Sequence, residues 1–152
     1  MHGLYIFERN LRVFDNELLA RAAHECQSLF CVYCFEEEFE PVGPARRAFL
    51  QQSLAELSQN LQKKGQTLLG FAGPPSELLA QLLKTPHAPQ NIYLEQATNS
   101  RTQQRNSQLA KIATENSVQL TELNLSLLIP PEALPMRLEE TPEVFTKFRK
   151  WV

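Results

Sequence analysis

Several groups of residues in this chain have the types that do chemistry, and their spacing decides what each can do. Cys31-Val32-Tyr33-Cys34 spells the C-x-x-C of redox and zinc sites. Both thiols fall inside the apolar run Leu29–Phe35. On an extended strand they point to opposite faces, whereas redox and zinc pairs need a turn that converges them. The spacing therefore reads as two small buried hydrophobes. Glu36-Glu37-Glu38 with Glu40 has the composition of a divalent-cation cluster, yet consecutive carboxylates do not converge on one ion without strain. A solvated loop at the sheet edge is expected instead. Arg9 and Arg12 share a loop with Asp15, the one aspartate beside sixteen glutamates. They suit a phosphate clamp, and the simpler expectation is that both pair with Asp15 or nearby glutamates and hold the loop. Asp15 lacks a second ligand at defined spacing, so it reads as a cap or brace for the first helix, a role Asn16 shares. In Asn99-Ser100-Arg101, Ser100 suits a helix cap, and Asn99 offers the donor and acceptor pair that reads a heterocyclic ring edge. His2, His24 and His87 are widely separated. No metal site, catalytic triad or Cys-His pair is assigned.

Short β-rich runs alternate with helix-like segments, and these must position the groups above. Strands are expected at Leu4–Phe7, Leu29–Phe35, Thr67–Phe71, Asn91–Leu94 and Val118–Leu123, with helices over Glu17–Gln27, Ala45–Lys64, Glu77–Leu83 and Thr102–Glu115. In the longest helix Phe49, Leu50, Leu54, Leu57 and Leu61 are expected on one side, with Gly65 closing it after Lys63-Lys64. Short strands separated by crossover helices predict an α/β fold, a doubly wound five-stranded parallel sheet of Rossmann-like type with helices on both faces. Ligands bind such sheets beyond the carboxyl ends of the strands. The candidate loops are thus Glu8–Asn16, Glu36–Arg47, Gly70–Ser76 and Glu95–Arg101. The first contains neither G-x-G-x-x-G nor a P-loop, which argues against dinucleotide or ATP binding through a glycine-rich first turn.

The 152 residues, 43% of them hydrophobic, suit one core. That domain is expected over residues 1–126, with a proline-interrupted extension over 127–152. Within the extension Glu143–Trp151 is amphipathic through Val144, Phe145, Phe148 and Trp151. A net charge of −2 disfavours phosphate-driven nucleic-acid binding by this chain alone. No apolar run approaches the ~20 residues of a membrane span. No signal peptide is evident and the cysteines are odd in number, so a cytoplasmic protein without membrane contact is expected.

Phe7-Glu8-Arg9-Asn10-Leu11-Arg12-Val13-Phe14-Asp15-Asn16 resembles the opening signature of the DNA photolyase and cryptochrome family. Gly43-Pro44-Ala45-Arg46-Arg47-Ala48-Phe49-Leu50-Gln51-Gln52-Ser53-Leu54 resembles the family's next block, and Gly65 and Gly73-Pro74-Pro75 match its later turns. Pro142–Lys150, with Phe148-Arg149-Lys150, is similar to the DASH-type cryptochromes in particular. The resemblance implies an N-terminal, antenna-side α/β domain. Its partner would be a C-terminal helical domain, absent from this chain, that binds FAD and UV-damaged DNA and repairs cyclobutane pyrimidine dimers as a light-driven carbon–carbon lyase. This chain alone would be inactive. The resemblance also implies a second chromophore, methenyltetrahydrofolate, at the domain interface. Folate-binding members often carry an Asn-Glu pair after the fourth strand; here Asn99 matches and Ser100 departs, leaving Glu95 or Glu8 to substitute. The cofactor-binding candidates are Asn99, Ser100, Glu8, Glu95 and Arg9, with Arg12, Asp15 and Asn16 as loop structure. An isolated chain is expected to self-associate through residues 144–151. The alternative is a stand-alone nucleotide-binding or structural α/β domain without photochemistry.

Overall fold

In a computed structural model, which describes residues 1–36, 43–97, 99–125, 127 and 133–150, five parallel strands alternate with four helices. These are β1 (His2–Phe7), α1 (Glu17–Glu25), β2 (Ser28–Phe35), α2 (Pro44–Gln62), β3 (Leu68–Ala72), α3 (Pro75–Leu82), β4 (Asn91–Glu95), α4 (Ser100–Glu115) and β5 (Gln119–Leu123). A 3-10 turn at Leu138–Glu140 and the one-turn α5 (Phe145–Phe148) follow. The strand order is β3-β2-β1-β4-β5, and every pairing is parallel. The register aligns Leu68, Cys31, Tyr5, Tyr93 and Thr121 straight across the sheet. The expected doubly wound α/β fold is the one observed.

Strand alternation builds two cores. Leu4, Ile6, Val32, Cys34, Ile92 and Leu94 pack with Leu78 and Leu79 of α3 and Leu109 and Ala113 of α4. Tyr5, Phe7, Cys31, Tyr33 and Tyr93 pack on the other face with Leu18, Leu19 and Ala22 of α1 and Leu57 and Leu61 of α2. Cys31 and Cys34 therefore lie buried on opposite faces, as their spacing implies. Burial pushes the Cys31 thiol up to about 11 and, with the Glu36 charge adding to it, the Cys34 thiol up to about 12. A raised folded-state value contributes stability that is complete below the unfolded value near 9 and is lost as pH climbs through 11 and 12. Denaturation midpoints should consequently fall between pH 8 and 11, and a Cys31→Val/Cys34→Val chain should lose less over that interval. An equal fall of the urea midpoint with pH in the two chains would contradict the assignment.

Local chemistry sets the element ends. Asn16, rather than Asp15, caps α1: its Oδ1 accepts the Leu19 N–H at 3.0 Å. Asp15 adopts the left-handed φ of 50° and meets Arg12 at 3.2 Å in a mostly exposed pair, a brace of little energetic weight. Gly65, at φ 74°, closes α2 while the Gln66 N–H donates to the Leu61 carbonyl and the Gly65 N–H to that of Gln62. One expectation for α2 fails. Leu50, Leu54, Leu57 and Leu61 do face the sheet, but Phe49 does not join them and is 70% exposed. The expected amphipathic segment Glu143–Trp151 forms only the single turn of α5, with Val144 and Phe145 exposed. Trp151 lies outside the described residues. Among the described residues no helix is long and apolar enough to cross a membrane.

Candidate functional site

Strand order reverses between β1 and β4, the two strands whose following helices cross to opposite faces of the sheet. A crevice forms at such a reversal because the two connections diverge. The loops at its mouth are those after Phe7 and after Glu95. Each face of the sheet carries a polar cluster there.

On the α3/α4 face the cluster centres on Arg105, in the second turn of α4. Its guanidinium meets Glu8, just past β1, at 2.8 Å and Glu36, just past β2, at 3.1 Å. It also donates to the Asn106 Oδ1 at 3.1 Å. Arg105 and Glu8 are each 17% exposed in their side chains, so solvent screens this pair far less than a surface bridge. Burial works against the Arg105 charge, but the two carboxylates outweigh it and hold the guanidinium more firmly protonated than usual. Asn106, itself buried, donates from Nδ2 to the Glu122 carboxylate at 2.9 Å and to the Glu95 carbonyl at 3.3 Å. The Thr102 hydroxyl donates to Glu8 at 3.4 Å, and the Thr102 N–H donates to the Asn99 Oδ1 at 2.9 Å. Beside this cluster a groove of about 600 Å³ runs between the 72–74 turn with Glu77 and the α4 residues Arg101, Gln104, Arg105 and Gln108.

On the α1/α2 face the Tyr5 hydroxyl donates to the Asn16 Oδ1 at 3.0 Å, and the Asn16 Nδ2 donates to the Arg12 carbonyl at 3.0 Å. Burial pushes the Tyr5 hydroxyl well above its usual value; the Asn16 hydrogen bond opposes that shift and the Glu95 charge adds to it. Glu95 is 6% exposed at the end of β4.

The structure thus sorts the candidates. Glu8, Asn99 and Ser100 come together on the α4 side, while Glu95 lies across the sheet with Tyr5 and Asn16; Arg9 is exposed on the β1–α1 loop. Ser100 is not the cap of α4: Asn99 caps it and Ser100 is the first helical residue. Because the Asn99 Oδ1 is committed to the cap, the group it offers a ring edge is its Nδ2 donor. Glu36 is not in a solvated edge loop, since β2 is an interior strand and Arg105 holds the carboxylate. Glu37, Glu38 and Glu40 lie outside the described residues. Among the described residues no three metal-ligating side chains gather. Sequence reasoning missed Thr102, Arg105 and Asn106. Their signal was positional: the first turns of a helix leaving β4 must cover the ends of the neighbouring strands.

A five-stranded parallel sheet with helices on both faces and polar groups gathered at its reversal point defines an α/β domain of Rossmann-like type. The DNA photolyase family model matches residues 3–152, and the chain belongs to that family. It is 34% identical over 153 residues to a cryptochrome DASH of Synechocystis, an alignment covering 95% of this chain and 31% of that protein. It is 30% identical to the blue-light photoreceptor PHR2 of Arabidopsis thaliana, covering 94% and 34%. The crystal structure of a Synechocystis cryptochrome superposes with a TM-score of 0.89 at 32% identity, covering 99% of this chain and 32% of that one. An archaeal photolyase from Sulfolobus tokodaii superposes with a TM-score of 0.84 at 25% identity, covering 100% and 34%. The chain spans about a third of the length of these relatives and corresponds to their N-terminal Rossmann-like domain.

Proposed function

We propose that this chain is the antenna-side domain of a DASH-type cryptochrome or photolyase. It would support FAD-dependent, light-driven repair of cyclobutane pyrimidine dimers in a protein that also carries a C-terminal flavin domain. In this reading residues 1–126 are the domain and residues 127–152 an extension and the start of the interdomain linker. UV-damaged DNA is bound through the partner domain, and the protein works in the cytoplasm, where free thiols stay reduced. The observation that carries the reading is the placement of Glu8 and the Asn99–Thr102 turn side by side at the reversal of strand order. A second chromophore of methenyltetrahydrofolate type would meet Asn99 and Ser100 there, with Glu8, Glu95 and Arg9 as further contacts. The Sulfolobus tokodaii photolyase is described with two FAD molecules, implying a novel light-harvesting cofactor, a precedent for a second chromophore in a similar protein.

The test is an absorption spectrum with cofactor release on the protein that contains this chain, purified in the dark. Flavin bands together with a releasable pterin are the expected result; flavin alone would make this domain a structural partner, and neither chromophore would overturn the reading. Light scattering on the isolated chain checks its free end. Val144 and Phe145, 56% and 71% exposed, should drive concentration-dependent self-association that Phe145→Ser relieves. A strict monomer would contradict that.

A further inference from the structure

We infer that Arg105 is the positioning residue of the second-chromophore site: through Glu8 and Thr102 it fixes the turn that presents Asn99. This inference rests on the antenna reading above. The connection is continuous. The Arg105 guanidinium holds Glu8 at 2.8 Å, the Thr102 hydroxyl donates to the same carboxylate at 3.4 Å, and the Thr102 N–H donates to the Asn99 Oδ1 at 2.9 Å. Two carboxylates, Glu8 and Glu36, end neighbouring strands with side chains 17% and 22% exposed. Without a cation between them they repel and turn toward water. Glu8 then leaves Thr102, and the first turn of α4 loses its tie to β1. Asn99 keeps its cap but not its height above the sheet edge, so its Nδ2 no longer meets a ring acceptor in register. Loss of a positioned donor costs a ligand more than loss of buried area does.

The two arms of Arg105 separate positioning from stability. Glu36→Gln weakens one arm and leaves the Glu8–Thr102–Asn99 connection in place. Thr102→Val deletes the connection and scarcely touches the core. Each variant is made in the flavin-loaded protein that contains this chain and titrated with methenyltetrahydrofolate, reading the dissociation constant and the absorption maximum of the bound pterin. Arg105→Met and Thr102→Val should each weaken binding about tenfold or more and shift the maximum. Arg105→Lys should recover part of the loss, because an ammonium still reaches Glu8. Glu36→Gln should lower the melting temperature yet change affinity less than about twofold, since the Glu8 contact survives.

Wild-type affinity and spectrum in both Thr102→Val and Arg105→Met would overturn the inference while leaving the antenna reading intact. So would an affinity loss that merely follows melting temperature through the whole series. A wild-type protein that takes up no pterin would overturn the antenna reading and this inference together.

Discussion

Gly3→Val is expected to cost this domain about 3 kcal/mol, lowering its thermal midpoint by roughly 6–12 °C. Gly3 lies in the central strand β1, paired with Leu29 of β2 and Asn91 of β4. A Cβ there collides with the Cys26 Sγ and comes within 2.9 Å of the Leu29 Cδ1 and 3.3 Å of the Tyr93 Cε2. Valine adds two further methyl groups to that collision. The surroundings resist relaxing. Cys26 ends α1, with its N–H donating to the Ala22 carbonyl at 3.0 Å, and its sulfur sits 3.5 Å from the Tyr93 hydroxyl. That hydroxyl donates to Glu25 at 2.7 Å, and the Tyr93 ring is fully buried. Moving Cys26 therefore disturbs the end of α1 and the Tyr93–Glu25 hydrogen bond together. Urea denaturation of Gly3→Ala, Gly3→Val and the pair Gly3→Ala/Cys26→Ala measures this directly. Removing the sulfur should recover most of the Gly3→Ala loss, so the two changes should be strongly non-additive. Additive costs, or a Gly3→Val midpoint equal to wild type, would show that the close approach is not restrictive.

The centre of the sheet was legible in the sequence because its interior strands β1, β2 and β4 are largely buried on both faces. Apolar runs such as Leu29–Phe35 are what a two-sided parallel strand requires, and the intervening helical periodicity left only crossover connections. Opposite orientation of Cys31 and Cys34 followed from the same alternation, and the left-handed Gly65 from its position after Lys63-Lys64. Helix starts were less legible. Asn99 and Ser100 are both good capping residues, and only the backbone decides which of them stands one residue outside the helix. Phe49 misled for a related reason. One hundred degrees of helix separate it from Leu50, enough to turn a large ring outward while its neighbour faces the core.

The charged centre of the site was the least legible part. Glu8, Glu36 and Arg105 are far apart in the chain and carry no shared motif, so nothing short of the strand order β3-β2-β1-β4-β5 brings them together. Read locally, Glu36 was one carboxylate of an acidic run and Arg105 one cation of a polar helix. The trio becomes consequential only where the Arg105 side chain, reaching from α4, meets the half-buried carboxylates just past β1 and β2. A family resemblance points to the β4–α4 turn, but the residue that fixes that turn had to come from the geometry.

Asn16→Leu should be the most costly single change in the β1–α1 loop, at about 2–4 kcal/mol. Asn16 is 4% exposed and serves three partners. Its Oδ1 accepts from the Leu19 N–H and the Tyr5 hydroxyl, both at 3.0 Å, and its Nδ2 donates to the Arg12 carbonyl at 3.0 Å. Leucine fills comparable volume and satisfies none of them. The first turn of α1 loses its cap, and a hydroxyl buried in the core beneath it loses its acceptor. The second cost can be isolated. Tyr5→Phe removes the orphaned hydroxyl, so Tyr5→Phe/Asn16→Leu should be more stable than the sum of the single losses implies, by about 1 kcal/mol or more. Asn16→Asp supplies the opposite control. A carboxylate keeps both acceptor contacts and favours the helix N-terminus, while it loses the donation to the Arg12 carbonyl and sets an oxygen against it. It should therefore retain more stability than Asn16→Leu at neutral pH. Guanidinium titrations of the four chains decide the matter: equal losses in Asn16→Leu and Asn16→Asp would show that volume, not hydrogen bonding, holds this loop at the mouth of the crevice.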